Sequence, residues 1–298
     1  MKKVIFSLIL FLSGVFVVSA EEIYFTNYYG DSLTKSEYNY LINYFDKESL
    51  YTMNSNLFND VKESNGIEVK KEERYVKVDT YYDYAGNVLR NLETEVSESE
   101  ALSFKSSNIS TRATTATHKT SMKKITLRIY LVEGQVYAVV NLVNEWLGIP
   151  AVKSIDLIGV RIMSDSPQVD YIRGHSNATQ TWDGNVIAYN VCNNSTSCPN
   201  AKVTEASNYT GVGVSMNLKD NVSSTLRNEL TVAVSIPEDY IIAVGTYQHA
   251  TKTVSLSDSK GYSFSASGLG NVFYFNGLLD DTEDSYDNTA GLTVRYDF

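Results

Sequence analysis

The densest group of side chains with ligand chemistry is an acidic run near the end of the sequence. Its carboxylates are Asp280, Asp281, Glu283, Asp284 and Asp287. Carboxylate oxygens suit calcium, a hard cation that takes about six to eight oxygen ligands. The spacing differs from that of an EF-hand loop, and no glycine supplies the sharp turn, so a solvated loop explains the run better. If the chain binds calcium, we expect the ion in this run.

Histidines do not form a recognisable catalytic group. His118, His175 and His249 lie in three unrelated segments of the sequence. A general base, or a base that activates a nucleophile, needs a partner that orients it. The spacing of the histidines supplies no such partner, so we predict no catalytic residue among them.

Carboxylates could also serve a glycosidase, which needs two of them at a fixed separation. Asp170, Asp183 and Glu229 lie at predicted strand or turn edges, but their positions do not single out one pair. A hydrolytic β-sandwich enzyme whose carboxylates the sequence does not identify therefore stays open as an alternative.

The chain has two cysteines, Cys192 and Cys198. In an exported protein we expect them to form a disulfide, because the extracellular space is oxidising. The bond would close a short loop and stabilise the fold by roughly 2 kcal/mol. Zinc would need further thiolate or imidazole ligands nearby, and the surrounding sequence lacks them. The disulfide is thus predicted to fix a hairpin tip.

Tyrosine is abundant, and half of the 22 tyrosines lie between Tyr24 and Tyr84. Exposed tyrosine rings can stack on sugars or anchor protein contacts. They are also ordinary residues of amphipathic sheets, and aromatic enrichment at interfaces is only statistical. Both interpretations of the tyrosine-rich region stay open.

The elements that must position these residues begin with the stretch from Lys123 to Met163. Ile125, Leu127 and Ile129 alternate with polar residues, which predicts a strand with one buried face. A turn at residues 133–134 leads into a nearly continuous apolar run, typical of a strand deep in a sheet. Trp146 is predicted to anchor the core. A third strand covers residues 154–163.

Short strands separated by turn signals continue to the end of the chain. They are predicted over residues 186–191, 201–206, 209–218, 229–236, 240–249, 252–257, 260–266, 270–276 and 290–297. This pattern predicts a mainly β fold, an antiparallel β-sandwich or jelly-roll-like domain preceded by a small helical hairpin.

The N-terminal third is predicted to contain two helices and a β-hairpin. Thr34 and Glu37 have the spacing of a capping box, and a second helix is predicted from Glu48 to Val61. The predicted domain organisation is a signal peptide over residues 1–20, a helical hairpin over 21–65, a β-hairpin arm over 66–96, a Ser/Thr-rich linker over 97–121 and a β-sandwich over 122–298.

Residues 1–20 have the three parts of a secretory signal peptide. Lys2 and Lys3 form the basic region, residues 4–18 the apolar region and residues 18–20 the cleavage site. The apolar run is shorter than the ~20 residues of a spanning helix, and no later segment is long enough. We therefore expect a secreted, extracellular protein without a membrane span after signal cleavage.

The formal net charge of −10 bears on the choice of partners. Nucleic-acid binding needs clustered Lys and Arg residues to contact phosphates, and the sequence has no such stripe. An acidic chain is also repelled by anionic lipid. Nucleic acid is thus excluded as the expected partner, and the acidity is interpreted as a source of solubility.

Three segments carry a family resemblance. They are NEWLGIPAVKSIDLIGVRI, GVGVSMNLKDN and GTYQHATKTVSLSDSKGYSFSASGLGNVFYF, within residues 120–298. In them the chain resembles uncharacterised secreted proteins of low-GC Gram-positive bacteria. The resemblance implies export from such a bacterium. It implies no functional residues, because no activity is attached to that group.

Together these features favour an exported, non-catalytic β-sandwich protein that acts at the cell surface or in the medium. Its expected role is binding or adhesion, with an extracellular glycan or protein as partner. The hydrolytic or carbohydrate-active sandwich is the alternative. A cleft with two facing carboxylates would favour the enzyme, and a flat aromatic patch would favour binding.

Overall fold

The computed structural model describes residues 22–85, 87–107, 118–164, 171–190, 201–205, 211–236, 239–254, 262–264, 273–275, 286–287 and 291–298. The predicted signal peptide over residues 1–20 lies outside the described residues, and so do Cys192 and Cys198. Export and the disulfide therefore stay predictions. Within the described part of the chain, no helix has the length and apolar character needed to cross a bilayer.

Strands dominate the described part of the chain. The helices are α1 (Lys35–Leu41), α2 (Lys47–Thr52), α3 (Ser55–Glu63) and α4 (Glu98–Ser107). The strands are β1 (Ile23–Thr26), β2 (Ser32–Thr34), β3 (Ile67–Tyr82), β4 (Val88–Val96), β5 (His118–Val132), β6 (Tyr137–Gly148), β7 (Ile155–Ser164), β8 (Asn177–Trp182), β9 (Asn185–Asn190), β10 (Ala201–Glu205), β11 (Gly211–Asn217), β12 (Leu226–Ser235), β13 (Tyr240–Gln248), β14 (Tyr262–Phe264), β15 (Phe273–Phe275) and β16 (Leu292–Asp297).

Two antiparallel sheets form a sandwich. The larger sheet has the strand order β4-β3-β5-β6-β12-β8-β9, and the smaller has the order β10-β11-β7-β13-β16. The main hydrophobic core lies between them and takes side chains from both sheets. The predicted fold class, a mainly β antiparallel sandwich, is confirmed.

The period-two pattern of β5 sets the inner face of the larger sheet. Leu127 of β5 and Leu142 of β6 are fully buried in the core between the sheets. They approach Gly245 of β13 so closely that a Cβ there would lie 2.8 Å from Leu142 and 2.9 Å from Leu127. Glycine at this position therefore permits the close contact between the sheets.

The outer face of the larger sheet is covered by the N-terminal helices. Tyr130 of β5 and Val139 of β6 point outward and are buried against Leu50 of α2 and Phe58 of α3. The rings of Phe45 and Tyr130 stack with centroids 4.4 Å apart. Because both faces of this sheet are buried, the sequence of β6 is almost continuously apolar instead of alternating.

The helical region begins with the predicted capping box at Thr34 and Glu37, in which each side chain bonds the backbone of the other. The prediction of one helix from Glu48 to Val61 is wrong in one respect, because this segment forms two helices, α2 and α3. Met53 is extended between them, and Asn54 caps α3 by accepting the N–H of Leu57. Asparagine favours a new N-cap over continuation of a helix, which accounts for the break.

The predicted β-hairpin forms as β3 and β4, and β3 also pairs with β5 from Ile67 to Tyr81. The segment over residues 97–121, predicted as a linker, contains α4 and the start of β5 instead of being wholly irregular. Ala101 and Phe104 of α4 pack against Met122 and Leu147. These apolar residues give an otherwise polar segment a docking face on the sheet.

Strand β8 was not predicted, because its sequence NATQTW is polar. The strand is nonetheless buried between β12 and β9 in the larger sheet. Gln180 donates a hydrogen bond to Asn228 of β12 over 3.1 Å, so its polar side chain has a buried partner. Of the strand predicted over residues 252–257, the described residues 252–254 are not in a strand.

Candidate functional site

A lysine lies inside the sandwich. Lys123 of β5 is fully buried, at 0% relative exposure, on the same face as Ile125 and Leu127. Burying an ammonium group is costly unless oppositely charged or hydrogen-bonding groups surround it. The residues around Lys123 supply such groups and define the candidate site.

Two acidic side chains contact the lysine amine. The Nζ atom of Lys123 lies 2.7 Å from Oε1 of Glu93 and 2.5 Å from Oδ2 of Asp287. Glu93 lies on β4, on the far side of β3 from β5. Asp287 precedes β16 of the smaller sheet. The three residues, which we call the lysine centre, therefore join the two sheets.

The backbone near the end of β13 holds Asp287 in place. The N–H of His249 donates to Oδ1 of Asp287 over 2.9 Å, and the N–H of Asp287 donates to the carbonyl of His249 over 2.9 Å. A β-bridge between Ala250 and Tyr286 extends this pairing. One carboxyl oxygen of Asp287 thus faces a peptide N–H, and the other faces the lysine.

Aromatic rings enclose the lysine centre. The amine of Lys123 lies 5.9 Å from the ring centroid of Trp146 and 5.7 Å from that of Tyr247. Both aromatic side chains are almost completely buried. Their rings interact favourably with a cation and keep the surroundings of the amine apolar.

Burial strongly affects the charges in the centre. It raises the pKa of Asp287 well above its ordinary value, and the nearby carboxyl of Glu93 raises it further, whereas Lys123 opposes the rise. Burial alone would lower the pKa of Lys123, but the two acids outweigh it and the net direction is upward. The favoured state therefore has a protonated Asp287 beside the lysine ammonium.

A second buried network adjoins the centre. Asp156 of β7 accepts hydrogen bonds from the hydroxyl of Tyr247, from Nδ1 of His249 at 3.0 Å and from the N–H of Ala250 at 2.9 Å. The hydroxyl of Tyr247 also accepts a hydrogen bond from Trp146 over 3.2 Å. Burial and the nearby Asp156 raise the pKa of Tyr247, so the phenol stays protonated.

A cavity borders the lysine centre. Its volume is about 540 Å³, and both Glu93 and Asp287 contribute to its wall. The remaining wall is formed by residues 88–92 of β4 together with Thr251, Lys252 and Tyr286. Small molecules such as water can therefore approach the two acids of the centre.

On the opposite face of the larger sheet, another polar cluster fixes the N-terminal helices. Glu229 of β12 accepts hydrogen bonds from Ser49 over 2.8 Å and from Asn141 over 2.6 Å. It also pairs with Arg227 at 3.1 Å, and Arg227 reaches Asp46 at 2.9 Å. The buried Glu229 thus connects helix α2 to the sheet.

The ion pairs of Asp46 predict a loss of stability in acid. Burial alone would raise the pKa of Asp46, but Arg227 and Arg128 lower it to about 2, below the ordinary 3.8. A depressed pKa adds stability above the unfolded-state value, and the gain is lost as pH falls from about 4 to about 2. We expect Asp46 to contribute about 2 kcal/mol to the free energy of unfolding at neutral pH.

Urea unfolding of the wild-type protein and of Asp46→Asn, followed from pH 7 to pH 2, tests this expectation. Asparagine keeps an N-cap acceptor for α2 and removes the charge. The two free energies of unfolding should differ at pH 7 and converge near pH 2. A difference that stays constant over this range would show that the charge of Asp46 is not responsible.

An exposed aromatic group lies next to the helices. The ring centroids of Tyr28 and Tyr29 are 5.3 Å apart at an interplanar angle of 87°, and those of Tyr28 and Tyr51 are 6.4 Å apart at 77°. Their relative exposures are 45%, 38% and 37%. We call these three residues the tyrosine cluster. The ring of Tyr28 is steep to both of its neighbours, so the cluster forms a ridge and not a flat platform.

A structured loop holds this ridge. Asn27 is buried, and its Oδ1 accepts the N–H groups of Tyr29 and Asp31 at 3.0 and 2.8 Å. The N–H of Tyr28 donates to the carbonyl of Tyr51 over 2.8 Å. Gly30 has a φ of 95°, which favours glycine. Local hydrogen bonds therefore fix the backbone that carries the exposed rings.

The histidines singled out in the sequence do have partners in space. His118 lies 3.0 Å from Asp79, and His175 lies 3.0 Å from Asp60. His249 contacts Asp156 inside the sandwich, where it is almost inaccessible to a substrate. Sequence spacing missed these pairs because each joins residues far apart in the chain.

Of the carboxylates singled out in the sequence, Glu229 and Asp183 are described, and they have separate partners. Glu229 is buried beneath α2, whereas Asp183 lies in the β8–β9 turn and accepts backbone N–H groups of residues 223–225. These hydrogen bonds lower the pKa of Asp183. Asp170 lies outside the described residues.

The predicted calcium ligands fall mostly outside the described residues. This holds for Asp280, Asp281, Glu283 and Asp284. Asp287 is described, and its carboxyl contacts the amine of Lys123. The described part of the chain contains no group of three or more His, Cys, Asp or Glu residues arranged to hold a metal ion. The calcium site stays a prediction.

Sequence reasoning missed Lys123 as a functional residue, although a signal was present. Lys123 has the same strand phase as Ile125, Leu127 and Ile129, which places it on the buried face of β5. A lysine at such a position is rare and needs buried partners. Glu93 and Asp287 could not be matched to it, because only the tertiary fold brings them near.

No protein-family profile and no curated protein sequence matches the chain. The structure is similar to a collagen-binding domain from a Staphylococcus aureus adhesin, at a TM-score of 0.30 and 9% identity over 55% of this chain and 91% of that chain. It is also similar to the collagen adhesin of S. aureus, at a TM-score of 0.26 and 8% identity over 62% and 81%. At these values the likeness carries no inference about function.

Proposed function

We propose that the chain is an exported, non-catalytic β-sandwich protein that binds another protein at the cell surface or in the medium. The exposed tyrosine cluster supports the proposal, because tyrosines anchor protein interfaces through large amphipathic rings. Export is supported by the signal-peptide pattern of residues 1–20.

The geometry of the ridge favours a protein partner over a glycan. A sugar ring stacks on an open, flat aromatic platform, whereas the ring of Tyr28 meets those of Tyr29 and Tyr51 at 87° and 77°. Exposed rings with hydroxyl groups fit into pockets of a protein surface. The net charge of −10 favours a partner with a basic surface, since opposite charges accelerate association.

Truncation of the ridge should weaken binding. For Tyr28→Ala we expect a loss of about 2 kcal/mol, or roughly 30-fold in Kd, if Tyr28 is a hot-spot residue. The control is Tyr84→Ala in the β3–β4 turn, since Tyr84 is fully exposed at 103%. Binding of purified residues 21–298 is measured on immobilised collagen, on a panel of basic and acidic extracellular proteins and on a polysaccharide panel.

Protein binding that Tyr28→Ala weakens and Tyr84→Ala leaves intact supports the proposal. Binding to polysaccharides alone would overturn the assignment of a protein partner. Cleavage of an immobilised polysaccharide would overturn the non-catalytic assignment in favour of a carbohydrate-active enzyme. If the two substitutions weaken binding equally, the ridge is not part of the interface.

A further inference from the structure

The lysine centre lies inside the sandwich, away from the tyrosine cluster, and contains groups that can react with each other. An amine and a carboxyl group are in contact, and a second carboxyl group touches the same amine. An ion pair alone needs only one carboxylate for one ammonium. We infer that Lys123 and Asp287 form an intramolecular isopeptide bond, with Glu93 as the catalytic residue that transfers protons between them.

Burial favours the protonated state of Asp287 that this reaction requires. An ionised carboxylate resists attack by an amine, whereas a carboxylic acid is an electrophile. The raised pKa of Asp287 keeps its carboxyl protonated. Glu93 can take a proton from the lysine ammonium and free the amine, since its Oε1 lies 2.7 Å from Nζ.

The atoms and protons balance without another reactant. The amine nitrogen of Lys123 attacks Cγ of Asp287 and forms a C–N bond, giving a tetrahedral intermediate. Glu93 passes the proton that it took from the ammonium to the departing hydroxyl oxygen, the C–O bond breaks, and one water is released. The carboxylate of Glu93 then takes the remaining excess proton from the nitrogen, so Glu93 ends protonated. The product is an amide, and no atom is oxidised or reduced. The cavity beside Glu93 and Asp287 can receive the water.

Each oxygen of Asp287 has a partner suited to this sequence of steps. Oδ2 lies 2.5 Å from Nζ of Lys123 and is the oxygen that leaves. Oδ1 accepts the N–H of His249 over 2.9 Å. A fixed peptide N–H at this oxygen stabilises the negative charge that develops in the tetrahedral intermediate. The same hydrogen bond can remain on the amide oxygen of the product.

The surroundings favour bond formation over hydrolysis. Trp146 and Tyr247 form apolar walls around the amine, and the three reacting groups are held within the fold. Holding reactants in contact corresponds to effective concentrations of about 10⁵–10⁸ M in favourable cases. The neutral amine and neutral acid are also better tolerated than ions in an apolar interior.

The bond would connect distant parts of the chain. Lys123 and Asp287 are 164 positions apart in the sequence; Lys123 lies in the larger sheet, and Asp287 precedes the last strand of the smaller sheet. A covalent link between them closes most of the sandwich into one loop and restricts the unfolded state. It would also carry mechanical load between β5 and the C-terminal segment.

Intact mass spectrometry of reduced, purified residues 21–298 tests the bond directly. The expected mass is lower than that of the sequence by one water molecule, and digestion should yield one branched peptide containing Lys123 and Asp287. Reduction beforehand removes any contribution from Cys192 and Cys198. A folded wild-type protein with the full sequence mass and two linear peptides would overturn the inference and leave only an ion pair.

Variants identify the reacting atoms. Lys123→Ala and Asp287→Ala should have the full mass of their sequences, whereas Asp287→Asn should lose ammonia in place of water if it reacts. Lys124→Ala is the matched control, because Lys124 is the adjacent lysine and pairs with Glu73 at 3.0 Å. The Lys124→Ala variant should still be lighter than its sequence by one water. If it instead has the full mass of its sequence, Lys124 and not Lys123 forms the bond, and the inference is wrong.

Glu93→Gln tests the proton transfer separately from the fold. We expect this variant to fold and to remain mostly uncrosslinked, since glutamine keeps the shape of the side chain but cannot accept the proton. Circular dichroism monitors the fold of each variant. Complete crosslinking of Glu93→Gln at the wild-type rate would overturn the role of Glu93. The crosslink and the proposed binding function are tested independently: if Tyr28→Ala loses ligand binding but keeps the crosslink, the two properties do not depend on each other.

Discussion

Trp146→Ala should lower the free energy of unfolding by about 3–5 kcal/mol. Trp146 of β6 is 2% exposed and belongs to the core between the sheets. The substitution removes an indole ring, the largest of the side chains, from a packed interior. It leaves a cavity that the surrounding strands can only partly fill. It also removes the hydrogen bond from Trp146 to Tyr247.

Trp182→Ala is the matched control, because Trp182 is the other tryptophan of the chain and is only partly buried at the edge of the same core. Urea unfolding followed by circular dichroism gives the midpoint for both variants, and an unchanged m-value would confirm that stability alone has changed. The loss should be clearly larger for Trp146→Ala. A loss below about 1 kcal/mol would contradict a tightly packed Trp146.

The sequence predicted the sandwich well where burial is regular. The alternation of Ile125, Leu127 and Ile129 gave the inner face of β5, and Trp146 was correctly assigned to the core. Strand β8 was missed because its burial depends on side-chain partners such as Gln180 and Asn228, which are far apart in sequence. A local sequence pattern indicates which face of a single strand is buried. A buried polar pair forms only when the fold brings two distant residues together, so a local pattern cannot predict it.

The candidate site was less predictable for the same reason. Asp287 was identified as a chemically interesting residue, but its acidic neighbours suggested calcium. Only the fold brings it within 2.5 Å of Lys123, and only the pairing of β3 with both β4 and β5 brings Glu93 near. The strand phase of Lys123 was the one local indication that a charge is buried there.

Asp156→Ala should also be strongly destabilising, by about 3–5 kcal/mol, for an electrostatic reason. Asp156 is fully buried and accepts hydrogen bonds from Tyr247, His249 and Ala250. Alanine would leave these donors without their acceptor in an apolar interior, and each unsatisfied group has its own desolvation cost. Asp156→Asn keeps the size of the side chain and one acceptor oxygen, so its effect should be smaller.

Asp220→Ala is the control for this prediction, because Asp220 is exposed, and its substitution should change stability by no more than about 0.5 kcal/mol. Equal effects of Asp156→Ala and Asp220→Ala on the urea midpoint would contradict the role of the buried network. The Asn variant at position 156 should fall between them.

The same substitution connects stability to the chemistry of the lysine centre. Asp156 holds the N–H of Ala250, and the preceding N–H of His249 faces Oδ1 of Asp287. If this segment loses its anchor, the donor that stabilises the tetrahedral intermediate is less well placed. We therefore expect a smaller fraction of crosslinked chains in Asp156→Ala than in the wild type, measured by intact mass at early times after cell-free synthesis of the chains. A wild-type rate of crosslinking would show that Asp156 stabilises the sandwich without positioning the reacting groups.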